Sequence, residues 1–131
     1  LHEFSVMQSV VDAVLDAARS KAASKVLLVK LRVGELTFLN PEQLKFAFEV
    51  LTQGTIAEGA ELIIERVKPK VKCIKCSYEG EIVYEGEEIH IPLAPLIIRC
   101  PKCGSYEVSL LAGRECTLSS IRVEVPRLKE R

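Results

Sequence analysis

Four cysteines carry the most specific chemistry in this chain. Cys73-Ile74-Lys75-Cys76 and Cys100-Pro101-Lys102-Cys103 are two CxxC pairs separated by 23 residues, and a tight turn at each can place both sulfurs on one side. Two such turns close Zn²⁺ into a tetrahedral four-cysteine site, with thiolates at about 2.3 Å. The same donor set also accepts iron in tetrahedral geometry. A thioredoxin-like redox role would require a CxxC opening a helix in a βαβ setting, and neither pair has that setting. A closed site of four thiolates leaves no position for water or substrate, so it argues for a structural metal and against a zinc hydrolase. The fifth cysteine, Cys116, begins a strand-like run, where a small buried hydrophobe is the ordinary reading.

Histidine chemistry is confined to His2 and His90. A histidine in second position can chelate one ion through the terminal amine, its own deprotonated backbone amide and its imidazole. Three nitrogens in a plane suit Ni(II) or Cu(II) in square-planar or tetragonal geometry, and a fourth ligand is then needed. His90 is the only other histidine, and it lies between the two CxxC pairs. Each has an ordinary alternative, His2 as a surface residue ahead of a helix and His90 as a residue of a surface loop.

The elements that must position these residues follow from periodicity. Phe4, Met7, Val10, Val11, Val14, Leu15 and Ala18 recur at spacings of three and four, which predicts a packed helix from Glu3 to about Lys21. Residues 26–33 alternate, with Leu27, Val29, Leu31 and Val33 on one face and Lys30 and Arg32 on the other, and Gly34 breaks the strand. Asn40-Pro41-Glu42 supplies an N-cap and a first-turn proline for a second helix carrying Leu44, Ala47, Phe48 and Leu51 and ending near Gly54. A second strand over 61–67 should pair with the first, and Ile121, Val123 and Val125 restore a strand pattern near the end of the chain. Residues 73–106 hold four of the five cysteines and no long periodic stretch, and a segment so poor in core residues needs the folding energy of a structural zinc, on the order of 10 kcal/mol. The expected fold is α+β: a small sheet of about three strands packed by two helices, formed by residues 1–71 and 113–131, with a zinc-ribbon-like module inserted over 72–112. The charged tail 127–131 should fray.

Composition narrows the functional classes. Eighteen Lys and Arg balance eighteen Asp and Glu, so a general electrostatic affinity for nucleic acid or anionic lipid is not expected. Apolar runs such as Val26-Leu27-Leu28-Val29 fall far short of the roughly 20 residues that cross a bilayer. The first residues lack the basic-then-apolar layout of a secretory signal, since Asp12, Asp16 and Arg19 interrupt a stripe that reads as an amphipathic helix; the expected compartment is the cytoplasm, where cysteines hold metal more often than they form disulfides. With no P-loop and no GxSxG, the expectation is a non-enzymatic protein that depends on another for nucleotide hydrolysis. The competing reading is a zinc-ribbon module for nucleic-acid or protein binding, since Lys68, Lys70, Lys72, Lys75 and Lys102 cluster around the cysteines, although a solvated lysine face is the simpler explanation of them.

Several segments together resemble the HypA family, nickel metallochaperones of NiFe-hydrogenase maturation. They are His2-Glu3 at the first helix, Gly34-Glu35-Leu36, Pro41-Glu42-Gln43-Leu44-Lys45-Phe46-Ala47-Phe48 and Gly54-Thr55-Ile56-Ala57-Glu58-Gly59-Ala60. The two CxxC pairs and the terminal strand around Ile121 extend the likeness over nearly the whole chain. The resemblance implies a nickel site at Leu1, His2 and Glu3, and His90, within Glu88-Ile89-His90-Ile91-Pro92, resembles a histidine of archaeal members that can complete it. It also implies a nucleotide-hydrolysing partner, HypB or a related ATPase, and the hydrogenase large subunit as acceptor. The family begins Met-His-Glu where this chain begins Leu1-His2-Glu3, a change that preserves the amine and amide of the chelate.

Overall fold

Met7, Val10, Val11, Val14 and Ala18 line one side of helix α1 (Glu3–Ser20) and are all buried, as their spacing requires. A computed structural model describes residues 2–82 and 99–126 of the chain. After α1 come strand β1 (Lys25–Gly34), a short 3-10 turn (Glu35–Thr37), helix α2 (Pro41–Thr52) and strands β2 (Glu61–Val67), β3 (Lys70–Cys73), β4 (Glu79–Glu81), β5 (Val108–Ala112) and β6 (Cys116–Glu124). They divide into two compact units.

The first unit comprises residues 1–33, 39–65 and 116–131. Its sheet has the order β2-β1-β6, with β1 in the centre and antiparallel to β6 from Lys25 opposite Glu124 to Val33 opposite Cys116. Both helices are anchored to one core, α1 packing on α2 and on β6. Met7, Val14, Val26, Val29, Leu31 and Leu44 are the largest apolar side chains fully buried in it. Each contributes about 1.5–3 kcal/mol of burial, and truncating Leu44 to alanine would cost about 2–5 kcal/mol. Buried Thr52 is tolerated because its hydroxyl donates to the Phe48 carbonyl at 2.7 Å.

The alternation expected along β1 fails at its first member. Val26 is fully buried while Leu27 is 38% exposed. An irregularity in the β6 pairing between Val26 and Leu28 leaves Leu27 as an extra residue, which reverses the facing on its N-terminal side. The expected N-cap of α2 is present: the Asn40 side chain accepts the N–H groups of Glu42 and Gln43 at 2.9 and 3.2 Å.

The second unit comprises residues 34–38 and 66–115, wider than the expected 72–112. Its sheet has the order β4-β3-β5, so β3, which starts at Lys70, is the central strand of this unit rather than the edge of the other. Residues 34–38 join it through hydrogen bonds that continue past the end of β1, Gly34 N–H to Glu115 C=O at 2.7 Å and Leu36 N–H to Gly113 C=O at 2.8 Å. A methyl group on Gly34 would overlap the Gly113 carbonyl, so this approach requires glycine. Among the described residues no helix is long and apolar enough to cross a membrane. The tail 127–131 lies outside them.

Candidate metal centres

The two CxxC segments fold into matching turns. In the first, Cys73 N–H donates to Tyr78 C=O at 2.7 Å and Ser77 N–H to Cys73 C=O at 3.2 Å. In the second, Cys100 N–H donates to Ser105 C=O at 2.8 Å and Gly104 N–H to Cys100 C=O at 2.8 Å. The residue after each second cysteine is left-handed, Ser77 at φ 63° and Gly104 at φ 76°. In both turns the N–H of the second cysteine points at the sulfur of the first, Cys76 to Cys73 and Cys103 to Cys100, each at 3.5 Å. Strand β3 delivers Cys73 to this point, and Ile74 N–H to Glu107 C=O at 3.0 Å ties the first turn to the segment entering β5.

The turns face each other. Sulfurs meet across them, Cys73 with Cys103 at 3.6 Å and Cys76 with Cys100 at 3.5 Å, and all four lie within 4.8 Å of one another. A tetrahedron with metal–sulfur distances of about 2.3 Å has sulfur–sulfur edges of about 3.8 Å, so this donor set fits a tetrahedral thiophilic cation. Cys73 and Cys100 are buried, Cys76 is half-buried and Cys103 is exposed.

The protons are unevenly shared. At Cys73 the N–H of Cys76 prevails over burial and holds the thiol below its usual range. At Cys100 burial pushes upward, but the N–H groups of Cys103 and Lys102 and the thiols of Cys76 and Cys103 lower it to about 6. The Tyr78 N–H pulls Cys76 down, yet burial and the contacts with Cys100, Cys103 and Cys73 together push it up to about 12. The arrangement favours thiolate on the first cysteine of each turn and a retained proton on Cys76. Cys116 is outside the cluster: it lies on β6 opposite Val33, half-buried against the first unit's core, and burial pushes its thiol up.

At the other end of the chain, exposed His2 is the N-cap of α1. Its Nδ1 accepts Phe4 N–H at 3.1 Å, and its carbonyl accepts Val6 N–H at 3.0 Å. Glu3 stands in the first turn, where a carboxylate suits the helix dipole, and its Oε1 accepts Asn40 N–H at 3.4 Å. Asn40 therefore touches the starts of both helices, capping α2 with its side chain and holding Glu3 with its backbone. The cap was legible from the Asn-Pro-Glu sequence, whereas the link to Glu3 spans 37 positions and leaves no local signal. Leu1 and His90 lie outside the described residues.

A family model described as hydrogenase/urease nickel incorporation, metallochaperone, hypA matches residues 1–123. The hydrogenase maturation factor HypA of Methanopyrus kandleri is 44% identical over 137 residues, covering 96% of this chain and 95% of its own. Its counterpart from Methanocaldococcus jannaschii is 42% identical over 131 residues, covering 95% and 98%. The fold is similar to the solution structure of the Ni metallochaperone HypA from Helicobacter pylori, with a TM-score of 0.64 at 23% identity over 96% of this chain and 100% of that one. A second solution structure, of a HypA protein, gives a TM-score of 0.67 at 25% identity, covering 95% and 98%. With the two-helix unit, the four-cysteine cluster and a match along nearly its whole length, the chain belongs to the HypA family of nickel-incorporation metallochaperones.

Proposed function

We propose that this chain carries Ni(II) at its first residues and hands it on for hydrogenase maturation in the cytoplasm, acting as a carrier rather than a catalyst. The observation that carries the reading is the exposed His2 at the N-cap of α1, whose ring nitrogen Nδ1 accepts a helix-end N–H. Nδ1 is the nitrogen that closes the smaller chelate ring with the residue's own backbone amide. Nickel at Nδ1 would displace the Phe4 N–H, so capture costs one cap bond of about 1 kcal/mol, and release restores it. In a chain with a free Leu1 amine, that amine, the His2 amide and the imidazole form a planar nitrogen set. Glu3 supports or supplies coordination, and His90 is the proposed fourth ligand.

The second part of the proposal is a structural Zn²⁺ held by Cys73, Cys76, Cys100 and Cys103. Bound there, zinc supplies no chemistry beyond folding energy, because all four positions are taken by protein. The partners are a nucleotide-hydrolysing maturation protein, HypB or a related ATPase, and the hydrogenase large subunit. Nucleic acid is a poorer partner, since Lys70 and Lys72 stand opposite Glu81 and Glu79 in the sheet register, which offsets much of the lysine cluster.

The test is a Ni²⁺ titration of tag-free, zinc-loaded protein, comparing a free N-terminus with an acetylated one and following absorbance and stoichiometry. One nickel bound to the free form and lost on acetylation is the expected result. Equal binding by both would remove the amine-anchored site and return attention to the cysteines and His90.

A further inference from the structure

The four cysteines are not equivalent. Cys73 and Cys100 are 1% and 2% exposed, and each sulfur accepts a backbone N–H at 3.5 Å. Cys76 is half-buried, and Cys103 is exposed. Cys76 and Cys103 both border an open cleft of about 550 Å³ whose other walls include Lys75, Gly104, Ser105 and Tyr106. A small reagent therefore has a route to Cys76 and Cys103 through this cleft. N–H donors withdraw charge from a thiolate, and exposure is what lets an electrophile approach in line with its lone pair. Both considerations separate Cys103 from the buried pair, and exposure separates it from Cys76.

We propose that Cys103 is the reactive sulfur of the cluster, the modification site at which electrophiles, peroxides among them, attack and release the metal. The inference rests on the four cysteines holding zinc as proposed above. With iodoacetamide, the Cys103 thiolate forms an S–C bond and iodide leaves, and the thioether produced is a far weaker ligand. With hydrogen peroxide, the thiolate takes one oxygen, the O–O bond breaks and hydroxide leaves; sulfur loses two electrons and the peroxide gains them. The Cys73 sulfur, 3.6 Å away across the turns, then attacks the Cys103 sulfenic acid, forming a Cys73–Cys103 disulfide and expelling hydroxide. The bond so formed joins the two turns and removes two donors at once. Cys116, half-buried with its thiol pushed up, provides a slow internal control.

The experiment uses the full chain, first assayed for one zinc per molecule. It is pulsed with limiting iodoacetamide, peptides are mapped by mass spectrometry, and released zinc is read with a chromogenic chelator. Label should appear on Cys103 before any other cysteine, with one zinc lost per Cys103 modified, and limiting peroxide should yield the Cys73–Cys103 crosslinked peptide. Because Cys103→Ser can fail to retain metal, Cys103→His, which keeps a donor, is the companion variant. It should hold zinc and lose it more slowly than the parent under the same reagent. Label spread evenly over the four ligands, or zinc retained after Cys103 is alkylated, would overturn the assignment and leave the zinc site standing. A chain isolated with no metal on these sulfurs would instead overturn the zinc reading itself.

Discussion

The imidazole of His2 accepts the Phe4 N–H through Nδ1 at 3.1 Å, so the nitrogen that starts α1 is also the one proposed to take nickel. The two roles separate by substitution. His2→Asn supplies a good N-cap without an imidazole, and His2→Ala supplies neither. Denaturant midpoints should show His2→Ala destabilised by about 1 kcal/mol and His2→Asn within about 0.5 kcal/mol of the parent. Both should lose the nickel, and a His2→Asn chain that still bound it with parental stoichiometry would take the imidazole out of the site.

Zinc uptake should release more protons in acid. Cys100, lowered from 9.0 to about 6, is ionised near neutrality, whereas Cys76, raised to about 12, is not. The lowered group favours the metal-free fold fully above pH 9.0, and that contribution is lost as pH falls through about 6. The raised group favours that fold below 9.0 and loses its contribution only toward about 12. Between about pH 7.5 and about pH 5, titration calorimetry in buffers of different ionisation enthalpy should therefore show more protons displaced per zinc at the lower pH. A count that stayed constant or fell would show that Cys100 does not take up a proton over this range.

Ser77 and Gly104 hold the same place in the two cysteine turns, both left-handed, but only one is the residue that conformation favours. Ser77→Gly should raise the stability of the second unit by up to about 1 kcal/mol, since the left-handed cost of roughly 1–2 kcal/mol is partly offset by the entropy of glycine. Gly104→Ala should lower it by about 1 kcal/mol, and for a conformational reason, because among the described residues the added methyl meets only the Arg99 side chain, at 3.4 Å. Chelator-challenge rates on the zinc-loaded protein would check both signs.

Gly34→Ala should be far more damaging than its chemistry suggests. The methyl would collide with the backbone of Gly113, which has no side-chain freedom with which to give way. A loss above about 3 kcal/mol, or failure to accumulate as folded protein, is expected. Gly54→Ala is the comparison: it carries a positive φ but meets nothing within 4 Å among the described residues, so it should cost about 1 kcal/mol.

Local patterns in the sequence made much of this legible. The α1 stripe, the Asn40 cap and the paired CxxC turns each rest on residues a few positions apart, and each has its expected structure except at Phe4, the first member of the stripe, which is exposed. Leu27 faces away from its expected side because a bulge depends on the partner strand, which alternation within β1 does not encode. Residues 34–38 read as part of the first unit because the chain runs straight on from β1, while their partners lie some eighty positions later at Gly113 and Glu115. The contact between Glu3 and Asn40 is hidden for the same reason. The left-handed Ser77 becomes legible only when Cys76-Ser77 is laid over Cys103-Gly104.

The central strand of the first sheet waits for its last partner. β1 is an early strand, yet β6 follows everything in the second unit, with Cys116 pairing back to Val33. Pairings this distant in sequence form slowly, because the intervening chain must be drawn in before any contact repays it. A metal that gathers Cys73, Cys76, Cys100 and Cys103 would shorten that excursion and bring the ends of the second unit, Arg66 and Glu115, into the range of their neighbours early. Metal supply would then govern how fast the helical unit completes its sheet, although none of the four ligands belongs to that unit.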